Sequence, residues 1–444
     1  MPVSVPVTVV RDMDKIIASG KITAVTNLNQ TDYFVFKGEP MGYSFEMLKR
    51  FADHLNLQLE ILTENDFDKA YELMQSGKAD IMALSLTENS NRKELMGFTD
   101  PLFETRQVLV QRKPFGWRNM TLEALDKKLI RSQADLAGKN IYVQKGSSYR
   151  QSLTVIGQET GKKINIIDVP YDSEELIKQV SRGEIEMTVC DENICGLMTK
   201  IYPDLDFNTP VSSPQKVAWG VRKSGSDVLL REFNSWMNSY KTTNEYAYME
   251  FKYFRSNRMA RIFDAGYFKP LSPYDGLIRQ YSDTIGWDWK LLASLIYQES
   301  RFNPSVRSRS GAYGLMQVLP ATGRHFGFDV THSVENNIHA GVTYIRYLDN
   351  IFARKIPDGD ERLKFILAAY NAGQGHVIDA MKLAGKNGFD PQKWDNNVAL
   401  FLAKKSDPDV YSDPDVQFGS IRGEAVNAYV NDILDRYGHY RNMK

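Results

Sequence analysis

No apolar run in this sequence approaches the ~20 residues needed to cross a bilayer. Clusters such as Leu291-Leu292-Ala293 are broken by polar residues within a few positions. Nor is there a surplus of either charge: Lys+Arg and Asp+Glu number 55 each, which removes the electrostatic argument for nucleic acid or an anionic surface, and no charge run stands out. Cysteine is nearly absent. Cys190 and Cys195 are too few for a disulfide scaffold and lack metal-site company, so they read as two small, half-buried residues. There is no internal repeat and no low-complexity tract. Met1-Pro2-Val3-Ser4-Val5-Pro6 lacks the basic start and apolar core of a signal peptide. Composition therefore leaves open a cytosolic protein or an exported one whose leader is missing.

What is present is ordinary globular material, 42% apolar and 25% charged, in a chain of 444 residues that favours two or more domains. The first half alternates. Strand-like runs at 22–28, 57–62 and 79–86 are interleaved with helical patterns at 45–55 and 67–77, the latter closed by Gly77. A second series follows at 139–146, 163–169, 173–183 and 184–191, and such alternation predicts α/β layers with largely parallel sheets. After about Thr242 the strands stop. Ser272-Pro273 predicts a helix over 273–285, Asp288 caps the next over 289–300, and further helices fit 334–353, 360–371 and 423–437. The stretch between the halves carries Tyr246, Tyr248, Phe251, Tyr253 and Phe254, too much apolar surface for a floppy linker.

On the helix 289–300, Leu292, Leu295 and Ile296 form one face and Glu299 is the next position of the same stripe. A carboxyl group there points into the core or a cleft, where desolvation disfavours its charged form. A neutral carboxylic acid is what protonation of a glycosidic oxygen requires. Periodicity alone leaves an outward-turned helix-end glutamate equally open.

The residues after it break the tie. Glu299-Ser300, Phe302-Asn303-Pro304, Ser308, Gly311-Ala312, Gly314-Leu315-Met316-Gln317 and Pro320 follow in order. Asn337, Gly341 and Tyr344 come next, then Ala369-Tyr370-Asn371-Ala372-Gly373, then Glu424 and Tyr429-Val430. Singly, each block has a plain reading as core, turn or cap. Together, over about 272–444, they resemble the lysozyme-like lytic transglycosylase domain. That resemblance implies peptidoglycan glycan strands as substrate, cut between N-acetylmuramic acid and N-acetylglucosamine, with Glu299 as the single acid and then base, assisted by the substrate's own N-acetyl group. The muramoyl C6 hydroxyl closes a 1,6-anhydro ring, and no second carboxylate takes part. Ser308, Met316, Gln317, Tyr344, Tyr370, Asn371 and Tyr429 would line the groove, Met316 and the tyrosines as flat contacts for sugar faces. No cofactor or metal is implied. The rivals are a hydrolytic muramidase and a binding protein with a silent catalytic domain.

Earlier in the chain, Gly42-Tyr43-Ser44-Phe45-Glu46-Met47-Leu48, Gly77-Lys78-Ala79-Asp80-Ile81, Arg92 with Phe98-Thr99-Asp100-Pro101, and Gly183-Glu184-Ile185 leading to Cys190-Asp191 resemble the amino-acid-binding class of extracellular solute-binding domains. The resemblance implies that Arg92 grips a ligand carboxylate and Asp191 an amino group, with Tyr33 as aromatic wall and Thr87 and Ser147 as hydrogen-bond partners. Thr87 and Arg92 stand two residues further apart than the family's pattern. The expected fold is thus multidomain, α/β plus all-α. A two-lobed periplasmic-binding-protein-like clamshell occupies 20–242 (lobe one 20–113 and 210–242, lobe two 114–209). A connector over 243–271 leads to a helical lysozyme-like domain over 272–444. An amino acid or muropeptide-type compound is the expected clamshell ligand. Both resemblances place the protein in the periplasm, attached to the outer membrane through a removed leader.

Overall fold

The structure, a computed structural model, describes residues 9–265 and 270–443. It separates into two compact units with the boundary at 269/270. The first unit is α/β and holds a six-stranded and a five-stranded sheet; the second is helical.

In the first lobe the sheet runs Gln58–Thr63, Lys21–Thr26, Ile81–Thr87, Gln215–Arg222, Met96–Phe98, with Phe103–Thr105 also paired to Gln215–Arg222. Lys21–Thr26 is parallel to both its neighbours, with Ala24 opposite Ile61 and Ile81. All its residues after Lys21 are buried, as a parallel strand covered on both faces by helices must be. The helix Tyr43–His54 covers one face through Met47, Leu48 and Phe51, and Phe51 meets Phe233 edge-on at 5.0 Å. The second lobe's sheet runs Asn165–Val169, Asn140–Gln144, Met187–Asp191, Gln107–Arg112, Leu205–Pro210, over a core of Leu109, Ile141, Val143, Leu153 and Val189. Cys190 and Cys195 are both buried free thiols, their sulfurs 3.9 Å apart.

The chain crosses between lobes twice, and the first crossing corrects the expected one near Lys113. Gln107–Arg112 already belongs to the second sheet, antiparallel to Met187–Asp191 and Leu205–Pro210, so the chain crosses at Arg106. The return falls at 211–214, between Leu205–Pro210 and Gln215–Arg222. Pairing decides this: the run QVLVQR has no feature that assigns it to either sheet until its partners are known.

The segment after Thr242 forms two helices, Asn244–Phe254 and Asn257–Ala265, both part of the first unit. Tyr246, Tyr253 and Phe254 are buried, whereas Tyr248 and Phe251 are exposed. The Tyr253 hydroxyl donates to Glu46 at 2.5 Å and accepts from the Gly42 amide, both in lobe one. Lys200, on the lobe-two helix Glu192–Ile201, donates to the Arg255 carbonyl at 2.7 Å. The pair of helices therefore spans both lobes. Residues 266–269 of the expected connector lie outside the described residues.

In the second unit Trp289–Ser300 packs along Gly423–Arg441, and Gly359–Ala372 packs on both Val334–Ala353 and Gly423–Arg441. Leu292, Leu295, Ile296, Ile338, Leu367 and Ile433 are completely buried between them. Asp288 caps Trp289–Ser300 as read from the sequence, accepting from Lys290 N–H. The helix expected over 273–285 begins later, at Asp275, because the Asp275 carboxylate accepts from the Leu271 and Ser272 amides and holds Pro273 in the preceding turn. Among the described residues no helix is long and apolar enough to cross a membrane.

Candidate functional site

Glu299 is half-buried in the last turn of Trp289–Ser300, on the stripe that Leu292, Leu295 and Ile296 bury. The Tyr429 hydroxyl, from the helix Gly423–Arg441, donates to Glu299 Oε1 at 2.5 Å. Burial pushes the carboxyl group up to about 7, against a smaller downward pull from that hydrogen bond. No second carboxylate contributes. Tyr370 stands close enough for the Glu299 charge to hold its own phenol protonated, on top of burial.

The loop after Glu299 turns sharply. Arg301 and Phe302 both take left-handed backbone, φ 51° and 61°, and Gln317 does so at 47°. Such strain in non-glycine residues is held only where the surroundings over-determine it. Asn337 does much of the holding: its Oδ1 accepts from the Met316 amide at 2.9 Å and its Nδ2 donates to the Tyr313 carbonyl at 2.8 Å. A Cβ on Gly314 would lie 2.5 Å from the Asn337 side chain, and one on Gly341 2.5 Å from Met316 Sδ, so only glycine lets these parts close up.

Met316 is therefore a correction to the expected groove. It is completely buried against Gly341, with no face left for a sugar; its carbonyl instead accepts from the Tyr370 hydroxyl at 2.8 Å and sets that ring. Gln317 is half-buried and donates to the Val306 and Gly314 carbonyls. The half-buried Ser308 hydroxyl accepts from Ala312 N–H at 3.0 Å. Tyr344 packs on Tyr370 with ring centres 5.4 Å apart, and Asn371 is exposed in the helix's last turn.

The other constellation lies between the lobes of the first unit, around a space of about 150 Å³. Thr87, Arg92, Ser147 and Asp191 all line it. Asn89 caps the short helix Ser90–Leu95 by accepting from Arg92 N–H; this takes up the two extra residues and turns the guanidinium back onto the Thr87 carbonyl at 3.1 Å. Asp191 accepts from Tyr149 at 3.1 Å through one oxygen, while its other, buried oxygen has no partner. Burial raises Asp191 to about 6, with Tyr149 pulling it down, Asp32 pushing it up and Arg92 pulling it down. Desolvation lowers Arg92, partly offset by Asp191. Ser147 donates to the Gln144 carbonyl at 2.7 Å.

Tyr33 is the second correction. It is completely buried with its ring 5.7 Å from Phe45, and it is absent from the lining. Phe67 supplies the aromatic wall, its ring 5.0 Å below the Arg92 guanidinium. Its position just after the Asp66 cap was legible as a helix start but not as a site. Also unanticipated is Glu174, from the lobe-two helix Ser173–Arg182, which accepts from the Gln30 amide and the Thr31 hydroxyl of lobe one. Burial raises it to about 8, with Asp172 adding to the rise. Among the described residues no group of three or more His, Cys, Asp or Glu is placed to hold a metal ion.

Fold and sites define a two-part protein, and comparison with known proteins gives the same division. Residues 22–256 match the bacterial extracellular solute-binding proteins, family 3, and residues 276–393 match the transglycosylase SLT domain. A membrane-bound lytic murein transglycosylase F from Desulfosudis oleivorans is 32% identical over 438 residues, 97% of this chain and 92% of that protein. One from Shewanella woodyi is 29% identical, over 89% of this chain and 80% of its own length. The chain belongs to the membrane-bound lytic murein transglycosylase F family, and it is a lytic transglycosylase with a solute-binding-like domain in front. Among solved structures, holo ArgBP from T. maritima is 23% identical, covers 54% of this chain and 98% of its own, and has a TM-score of 0.43.

Proposed function

We propose that Glu299 is the catalytic acid and base of this transglycosylase and that peptidoglycan strands are cut between N-acetylmuramic acid and N-acetylglucosamine. The observation that carries this reading is a carboxyl group pushed to about 7 by burial and touched by one hydroxyl donor, with no second carboxylate contributing to its shift. A two-carboxylate glycosidase needs its partner within about 5–10 Å, as nucleophile or as base for water. With one carboxyl, the consistent route is proton donation to the leaving oxygen, then removal of the C6 hydroxyl proton as the 1,6-anhydro ring closes. Tyr429 restrains the carboxylate between the two steps. Tyr370, fixed by the Met316 carbonyl, and Tyr344 beside it form one wall, with Ser308, Gln317 and Asn371 offering polar contacts.

The clamshell takes an amino acid or a muropeptide-type peptide, its carboxylate on Arg92 and its amine on the unpartnered Asp191 oxygen. Because the helices Asn244–Phe254 and Asn257–Ala265 span both lobes, closure on ligand displaces the segment that leads into the catalytic unit. A typical coupling of about 1–3 kcal/mol suffices to tune activity, not to switch it absolutely. The setting is the periplasm, at the outer membrane. Mass spectrometry of digested cell-wall sacculi tests the chemistry: 1,6-anhydro-muramoyl ends are expected, and reducing ends would make the enzyme a hydrolase instead.

A further inference from the structure

Only two cysteines occur in the 444 residues, and the fold brings them together: the Cys190 and Cys195 sulfurs are 3.9 Å apart, with no other thiol in the chain to compete. A disulfide holds its sulfurs at about 2.0 Å, so closure takes roughly 2 Å of movement, less than a sulfur travels between two staggered rotamers.

The pair bridges two elements of lobe two. Cys190 is fixed in the strand Met187–Asp191, opposite Val108. Cys195 is in the first turn of the helix Glu192–Ile201, its thiol turned back toward the Asp191 carbonyl at 3.7 Å. Between the two cysteines, Asp191, Asn193 and Ile194 line the ligand cleft. Glu192 pairs at 2.6 Å with Arg106, where the chain first crosses between lobes. The same helix lies close against Asn244–Phe254: a Cβ on Gly196 would meet the Phe254 carbonyl at 2.9 Å. A bond between the sulfurs would therefore tie the sheet, one cleft wall and the helix beside the crossing into a single closed loop.

The two thiols differ in chemistry. Cys190 is completely buried, and burial pushes its thiol up. Cys195 keeps 9% of its surface in water and stands close enough to Arg106 for their charges to interact. A helix N-terminus and a guanidinium are both surroundings that favour a thiolate.

We propose that Cys190 and Cys195 are an oxidation site, which takes a small disulfide donor of the glutathione class and closes to an intrachain disulfide. The Cys195 thiolate attacks the donor, the donor's S–S bond breaks, and one donor thiolate leaves the mixed disulfide. Cys190 gives up its proton and attacks the Cys195 sulfur, and the second donor thiolate leaves. Both cysteines are oxidised, the donor is reduced to two thiols, and the two protons lost by the cysteines end on them. The bond braces the segment that carries Asp191. Neither the chemistry at Glu299 nor the identity of the cleft ligand enters the step.

Mass spectrometry of the full chain, alkylated under denaturing conditions, tests it. After reduction both cysteines should be alkylated. After oxidised glutathione neither should be, and the chain should weigh about 2 Da less than the reduced one. Cys190→Ser should stop at the mixed disulfide on Cys195, and Cys195→Ser should react at least ~10-fold more slowly than wild type. The oxidised chain should melt about 3–8 °C above the reduced one, as closure of a short loop allows. Melting curves of the reduced variants check that they fold. Two alkylated thiols after prolonged incubation with oxidised glutathione overturn the proposal. So do disulfide-linked dimers in place of a closed monomer, or a Cys195→Ser variant that reacts as fast as wild type.

Discussion

Both functional regions are built on a carboxyl group that burial drives toward neutral pH, and they differ in what stands beside it. Glu299 has one hydroxyl donor, and no charged neighbour contributes to its shift. Asp191 has Tyr149, the nearby Arg92 guanidinium and one oxygen left without a partner. An acid desolvated alone keeps a proton to give away. An acid desolvated beside an arginine, with an empty acceptor position, forms half of a receptor for a molecule carrying both charges. On the proposed reading, the same physical term would serve catalysis in one unit and recognition in the other.

The comparison breaks most visibly at Glu299. Glu299→Gln keeps the shape and removes the transferable proton, so turnover of peptidoglycan should fall at least ~10²-fold, and near-wild-type turnover would refute the assignment. The same variant should gain stability at alkaline pH. A carboxyl raised from 4.5 to about 7 in the folded protein contributes stability that is fully present below 4.5 and lost as pH rises through 7. Above pH 8 the glutamine variant should therefore unfold about 1–3 kcal/mol later in denaturant than wild type.

Next in size is the receptor side. Arg92→Ala removes the only arginine lining the cleft among the described residues, and truncating one member of a desolvated charge pair costs roughly 2–5 kcal/mol, a loss of ~30-fold or more in ligand affinity by calorimetry. Affinity unchanged for the best of a panel of amino acids and stem peptides would remove the carboxylate grip. Tyr429→Phe should be milder. Losing a hydrogen bond to a charged group costs about 1.5–3 kcal/mol, so kcat should fall at least ~10-fold. The bond lowers the Glu299 pKa, so its loss should move the alkaline limb of the pH–rate profile upward; an unmoved limb would mean that Tyr429 acts only on shape.

The smallest effect expected concerns Glu174. Its closed-lobe contact is favoured when protonated, so its contribution is complete below 4.5 and lost as pH rises through about 8. Asp191 works the other way, binding an amine better once it ionises near 6. Ligand affinity should rise through pH 6 and decline through pH 8, by a few-fold on each side. Glu174→Gln should remove only the upper decline; a wild-type profile in that variant would show that the latch does not titrate.

Much of this was legible in linear order. The alternation of strand and helix patterns, the loss of strands after Thr242 and the stripe ending at Glu299 are short-range properties that period and capping set directly. Arg92 and Asp191 were legible as residue types within blocks. Met316 and Tyr33 were misplaced for a common reason. An apolar or aromatic residue beside a site motif is equally suited to face the ligand or the core, and only packing against Gly341 or Phe45 decides which.

By itself, then, the sequence determined the two-part architecture, the helix that carries Glu299 and the chemical types at both sites, because these rest on local periodicity and motif order. Only the tertiary structure decided that the first lobe crossing falls at Arg106, that Tyr429 comes across from the helix Gly423–Arg441 to meet Glu299, and that Glu174 reaches lobe one. Each of these depends on contacts between residues far apart in the chain, which no single window of sequence encodes.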